Sequence, residues 1–266
     1  MNLLKLAAVR ILVCALLSAV GATAFHAAPA AAQQCTLRAG HDSYGVYSYM
    51  DENGRAGGID VDVIRAIARE LSCLVSFVEL PWKRTLLAIE TGALDMTSSA
   101  SLTAERQVFA RFSDPYRQAD VAIYVRSGES GRFQLQALRD VVTAGLRLGI
   151  VTGYYYGEDF SALMEDAAFV AQVDPAADYD TNIRKLLHGR IDGFIVDDSG
   201  VMVSAVRRLG VEDQVERHPL ALPGDDLHFM FSRKTVDALR VEGINHAIVR
   251  MMKDGRLEEI MRTHLE

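Results

Sequence analysis

The residues best suited to chemistry lie in one stretch, Thr97 to Tyr116, which reads TSSASLTAERQVFARFSDPY. Ser98, Ser99 and Ser101 bring hydroxyls and backbone N–H groups to a strand end, and Thr103-Ala104-Glu105-Arg106 reads as a capped helix start beside it. In an open α/β sheet, ligands gather outside the carboxyl ends of the strands. A guanidinium at such a place clamps a carboxylate through two parallel hydrogen bonds. A lone Arg in a helix turn is more often a solvated surface residue; the adjoining serines favour the clamp. Motifs for catalysis are missing: there is no G-x-S-x-G, no H-E-x-x-H, no phosphate-cradling G-x-x-x-x-G-K and no cysteine pair at zinc spacing. Six of the seven histidines follow the N-terminal segment, none at metal-ligand spacing from another, and they read as surface or packing residues. No metal and no cofactor are expected.

The elements that must position Arg106 alternate between strand and helix. Leu37 to Gly40 is a short strand, and Asp51-Glu52-Asn53-Gly54 is a hairpin-type turn. Asp60 is expected to cap a helix whose apolar face carries Val63, Ile64, Ile67, Ala68 and Leu71, with Asp62 in its first turn. Val75 to Leu80 is a strand, Lys83 to Thr91 a helix closed by Gly92, and Leu94-Asp95-Met96 leads into the next strand. This order predicts a parallel sheet with helices on its faces. The pattern recurs: Leu146 to Val151 as a strand, a helix from about Gly157 to Ala167, Phe169-Val170-Ala171 as a short strand, and Thr181 to His188 as a helix. Gly189-Arg190-Ile191-Asp192 then repeats Gly92-Ala93-Leu94-Asp95 and leads into Gly193 to Val196. Two copies of one unit predict two lobes. One strand, Leu227 to Phe231, and two helices, Leu239 to Met252 and Leu257 to Thr263, cannot bury a core of their own and are expected to return to the first lobe. The chain would cross between lobes near Ala119 to Tyr124 and near Leu222 to Leu227.

The N-terminus reads as an export signal. Lys5 and Arg10 precede an apolar run from Ile11 to Val20, and small residues follow up to Ala30-Ala31-Ala32. That run is shorter than the ~20 residues of a membrane-spanning helix. Cleavage is expected after Ala32, and Val13 before Cys14 speaks against a lipoprotein signal. The net charge of −7 becomes −9 once Lys5 and Arg10 leave, which disfavours nucleic acid and anionic membrane as partners. Cys35 and Cys73 remain, each opening a strand. In an exported protein such a pair is more often a disulfide than two thiols.

Several motifs in register now carry a resemblance. Gly57-Gly58-Ile59-Asp60-Val61-Asp62-Val63, Gly92 to Asp95, Leu102 to Arg106, Phe112-Ser113-Asp114-Pro115-Tyr116 and the ending Met252 to Ile260 resemble the amino-acid-binding family of bacterial periplasmic solute-binding proteins, family 3. The similarity covers the mature chain. It implies an α/β Venus-flytrap of the type II periplasmic binding protein fold, each lobe a mostly parallel sheet flanked by helices, joined by two hinge strands. Lobe 1 would comprise residues 33–119 and 227–266 and lobe 2 residues 120–226, after a signal peptide of residues 1–32. The resemblance puts a ligand carboxylate on Arg106, with Ser99, Ser101 and the Ser98 carbonyl beside it. It puts Trp82 on the ligand wall, Asp42, Tyr44 and Tyr47 in the first loop, and Gly153, Tyr154 and Tyr155 in the second-lobe turn. Asp197 matches the acidic residue for an α-ammonium, with Asp198 as a rival. Tyr47 and Trp82 could sandwich a side chain, or Trp82 could be core filler. The family implies delivery by a monomer to an inner-membrane ABC transporter permease in the periplasm.

The sequence also departs from the family. Gly45-Val46 precedes Tyr47 where Pro is usual, Tyr154-Tyr155-Tyr156 crowds a turn that commonly holds smaller residues, and the Asp95 to Arg106 spacing is one residue short. Alternatives to a receptor are a periplasmic dehydratase of the cyclohexadienyl type, with Asp42 or Asp198 as general acid, and a redox-enzyme partner with a vestigial pocket.

Overall fold

A computed structural model describes residues 34–265. The expected signal peptide and its cleavage after Ala32 lie outside the described residues. The chain opens with β1 (Thr36–His41), the short strands β2 (Tyr49–Met50) and β3 (Ala56–Gly57), and α1 (Ile59–Glu70). β2 and β3 pair antiparallel about the turn at Asp51, whose carboxylate accepts from the backbone N–H groups of Asn53 and Arg55. Asp60 does not cap α1 as expected. The helix starts two residues earlier, after Gly58, and Asp60 is a buried residue of its first turn whose carboxylate accepts from the Tyr116 hydroxyl at 2.7 Å. The capping position needs no side chain here because the first N–H groups, those of Ile59 and Asp60, donate to the Val46 and Tyr47 carbonyls.

Next come β4 (Leu74–Glu79), α2 (Trp82–Thr91), β5 (Met96–Ser101), α3 (Ala104–Phe109), β6 (Ala110–Phe112) and β7 (Arg117–Gln118). β4 and β5 flank β1, both parallel to it. Cys35 and Cys73, just before β1 and β4, form a disulfide with Cα atoms 4.5 Å apart.

The chain then builds a second sheet from β8 (Ala122–Arg126), α4 (Asp140–Thr143), β9 (Leu148–Val151), α5 (Glu158–Leu163), α6 (Ala167–Val170), β10 (Val173–Ala176), α7 (Tyr179–Leu187), β11 (Gly193–Val196), α8 (Gly200–Leu209) and β12 (Val215–Arg217). Its strand order is β10-β9-β11-β8-β12. Two expectations fail here. Residues 157–167 are not one helix, and Phe169-Val170-Ala171 is helix rather than strand. The Asp166 carboxylate accepts from Ala168 N and restarts the chain as α6, which buries Phe169; the strand follows at Val173.

Finally β13 (Asp226–Ser232) returns to the first sheet, completing the order β4-β1-β5-β13-β6 with β7 on β13, and α9 (Ala238–Lys253) and α10 (Arg256–Leu265) close the chain. Val241, Ile244, Ile248 and Met251 of α9 pack with Ile59, Val63 and Ile67 of α1 in the first core. The two crossing segments touch where Ala119 N donates to the Asp225 carbonyl at 2.9 Å. Gly224 lies so close to the Ala119 carbonyl that no side chain fits there.

Both sheets are mixed rather than mostly parallel. Each has three parallel strands, then antiparallel ones beginning with β13 in the first sheet and β8 in the second. The physical reason is entry direction. The parallel strands end at the cleft, and a strand arriving from the other sheet starts there and runs the opposite way.

The repeat seen in the sequence is a repeated piece of structure. Asp95 accepts from the backbone N–H and Nε of Arg38, whose Nη2 donates to the Gly92 carbonyl. Asp192 accepts in the same manner from Arg147, whose Nη2 donates to the Gly189 carbonyl. In each sheet the acid before one parallel strand thus grips the start of its neighbour, β1 or β9.

Candidate functional site

The carboxyl ends of parallel strands from both sheets meet around a small cavity. β1 delivers Asp42, β5 delivers Ser98, Ser99 and Ser101, the turn after β9 delivers Tyr154 and Tyr155, and β11 delivers Asp197. Tyr44, Trp82 and Arg106 complete the expected residues on its wall.

Arg106 is 7% exposed, although it sits on a short surface helix. Thr103 caps α3 by accepting from Arg106 N, which sets the first turn and turns the side chain inward. Its Nη1 donates to the Ser101 carbonyl at 2.9 Å and its Nη2 to the Gly153 carbonyl at 3.4 Å. The guanidinium carbon stands 5.2 Å from the Trp82 ring centroid, a cation–π distance. Among the described residues it has no carboxylate partner. Burial lowers its pKa, against the raising field of Asp197.

Two carboxylates share the wall. Asp197 accepts from the Tyr179 hydroxyl, and burial pushes its carboxyl up to about 6 despite that bond and one from Tyr44. Asp42 accepts from the Tyr154 hydroxyl at 3.4 Å. Burial, then the field of Asp197, push it up to about 6 as well. The cavity thus presents one cation without a counterion and two acids each held partly in the protonated form near neutral pH.

Gly153 takes φ +84 and exposes its carbonyl to the first sheet, where Trp82 Nε1 donates to it at 3.0 Å. Ser99 lines the cavity, but its hydroxyl donates to Asp60 rather than facing inward. Its φ of +53 is rare for a residue with a Cβ and is held by the bonds around it. Tyr47 does not line the cavity, so it does not face Trp82 across a ligand as expected.

Residues 37–266 match the bacterial extracellular solute-binding proteins, family 3. The chain belongs to this family. It is similar to a probable histidine-binding protein of Neisseria gonorrhoeae, 26% identical over 88% of this chain and 84% of the relative. Among solved structures it is similar to an ancestral arginine-binding protein bound to arginine, with TM-score 0.74 and 25% identity over 88% of this chain and 99% of the other. It shares its fold with the ancestral amino acid-binding protein AncCDT-1, a precursor of cyclohexadienyl dehydratase, with TM-score 0.72 and 24% identity over 87% and 95% of the two chains.

This family 3 protein holds a second charged cluster that the sequence reading missed. Arg117 of β7 is buried and pairs with Asp198, which follows β11 in the other sheet. Its Nη2 donates to Ser99 Oγ at 2.6 Å, and Asp60 lies 3.7 Å from its Nε. The guanidinium lies 3.8 Å above the Tyr47 ring, and the Tyr47 hydroxyl donates to Asp198 at 3.0 Å. Asp198 also accepts from Gly200 N, so it is fully engaged, and of the two rival acids only Asp197 lines the cavity. His41, likewise unforeseen, lines the cavity with Nδ1 3.0 Å from Ser48 Oγ and a buried Nε2 that has no partner among the described residues. The available signal for Arg117 was a lone cation placed between Tyr116 and the apolar crossing segment.

Proposed function

We propose that this protein is the binding component of an ABC uptake system, closing lobe 1 (residues 33–119 and 227–266) and lobe 2 (residues 120–226) around an amino acid or a related small carboxylate-bearing solute. The observation that carries the reading is Arg106, a buried guanidinium without a carboxylate, set across a cavity from Asp197 and Asp42. A zwitterion supplies what each side lacks. Its carboxylate takes the two N–H bonds that Arg106 now spends on carbonyls. Its ammonium lies between Asp197 and Asp42, the carboxyls whose mutual repulsion it relieves. Ser98, Ser99, Ser101 and the Gly153 to Tyr155 turn complete the cradle, and Trp82 covers Arg106. Since the ligand engages both lobes, its binding energy favours closure. The related proteins named for histidine and arginine support an amino-acid ligand. Residues 1–32 would direct export to the periplasm, where the mature protein works as a monomer and presents the closed form to its permease. Neither metal nor cofactor takes part.

One observation favours a second reading. Carboxyls near pKa 6 in a cavity with an arginine suit general-acid work, as a dehydratase of prephenate-like acids requires. A thermal-shift screen against amino acids, followed by calorimetry and an assay with prephenate, decides between them. Stabilisation by an amino acid without turnover of prephenate is the expected result. Turnover would establish the enzyme, and stabilisation by none of the amino acids would overturn the receptor.

A further inference from the structure

Tyr154 enters from the second sheet into an aromatic notch of the first. Its ring centroid is 6.2 Å from that of Tyr44 and 6.3 Å from that of Trp82, edge-on to both, and its hydroxyl donates to Asp42. The ring therefore stands between Tyr44 and Trp82, two residues of the cavity wall. Beyond it lies a second, larger groove reaching Lys83, Arg84, Asp178 and Arg208, and Asp42, Trp82 and Tyr154 form part of the wall of both spaces.

The ring is also fixed from behind. It stands edge-on to Tyr179 of its own sheet at 5.6 Å, and it packs against the apolar clusters on both sides of that sheet. The Gly153 turn sets its direction: Tyr154 N donates to the Val151 carbonyl, and the Gly153 carbonyl is held by Trp82. Tyr154 is thus anchored to the second sheet while its ring meets Trp82 of the first.

We infer that Tyr154 is a partition that limits the ligand to a short side chain by separating the Arg106–Asp197 chamber from the groove beyond. This rests on the amino-acid reading above and sharpens it: the ligand is a small zwitterion of glycine, alanine or serine size. Long side chains are shut out of the outer groove, whose wall carries Lys83, Arg84 and Arg208 as well as Glu79, Asp178 and Asp180.

Calorimetric titrations with glycine, L-alanine, L-serine, L-histidine and L-arginine test this on the wild type and on Tyr154→Ala and Tyr154→Phe. The wild type should bind one of the three small amino acids about 10- to 100-fold tighter than L-arginine. Tyr154→Ala should join the two spaces and bring L-arginine to equal or tighter binding. Tyr154→Phe, which keeps the ring, should keep the size discrimination. The wild-type ranking stands as a test even if Tyr154→Ala does not fold. L-Arginine binding the wild type as tightly as the small amino acids, or a Tyr154→Ala protein with unchanged ranking, would sink the partition and leave the receptor reading intact. No binding of any of the five by any form would remove both.

Discussion

Arg117 is where the two sheets are held together by charge, and removing that charge should be costly. In Arg117→Met a flexible apolar chain of similar length keeps the packing on Tyr47 but leaves Asp198 and Asp60, each 1% exposed, facing one another without a cation. Taking one partner from a buried pair destabilises by about 3–5 kcal/mol, because the remaining charge stays desolvated. For a protein of this size each 1 kcal/mol moves the thermal midpoint by about 2–4 °C. The expected loss is therefore about 6–20 °C, read by circular dichroism at neutral pH without ligand. Arg55→Met is the matched surface control. Arg55 pairs with Asp51 at an exposed turn, where screening leaves such pairs nearly worthless, and its midpoint should stay within about 2 °C of wild type. A drop of under about 2 °C for Arg117→Met would refute the reasoning, since it would mean that the cluster is hydrated or that Arg117 lies elsewhere. Asp198→Asn should lose stability too, since it removes the other charge while keeping most of the volume.

Three further outcomes follow from the geometry. Arg106→Ala should abolish amino-acid binding by calorimetry while the circular dichroism spectrum and midpoint stay close to wild type, since among the described residues the guanidinium has no ion pair and contacts two carbonyls and the Trp82 ring; unchanged affinity would remove the carboxylate clamp. Acidification should act in opposite directions on the free and liganded forms. Asp42 and Asp197 have folded pKa values raised to about 6, above the ordinary value of 3.8, so between those limits the folded state holds more protons than the unfolded one. These two groups therefore stabilise the free protein as pH falls from 7 toward 4. Over the same interval they lose the negative charge that attracts an ammonium, so affinity should weaken, and a flat affinity from pH 7.5 to 5 would contradict their role. Reducing Cys35–Cys73 opens a closure of 38 residues, which corresponds to about 4 kcal/mol of chain entropy and a fall in midpoint of about 8–16 °C; an unchanged midpoint in reductant would count against that contribution.

What the sequence made legible was local or repeated. Gly92 and Gly189 mark helix ends because each needs a positive φ, and Asp95 and Asp192 stand three residues later because each anchors the first residues of a neighbouring parallel strand. Such features recur with the unit, so two copies are visible in one chain. Arg106 was legible through the serines and the Thr103 cap next to it. Residues whose meaning comes from partners distant in the chain were not. Asp60 reads as a helix cap until Tyr116 and Arg117 are brought to it, and nothing in the motif that ends at Tyr116 marks Arg117 as its ion-pair partner. Asp197 and Asp198 are adjacent in sequence, and only the fold sends one to the cavity and the other to Arg117. The same separation explains how one cleft serves two purposes. Four acids and two arginines meet there, and they sort by partner. Asp60 and Asp198 share Arg117 within the protein, so that group finds its charge partners inside the chain. Asp42 and Asp197 share the cavity with Arg106, but among the described residues they form no ion pair with it, and two of its N–H groups donate to carbonyls instead. On the proposed reading, the charges left unpaired are the ones a zwitterion would complete, while the neighbouring cluster, already neutralised in part, links the two sheets without competing for that ligand.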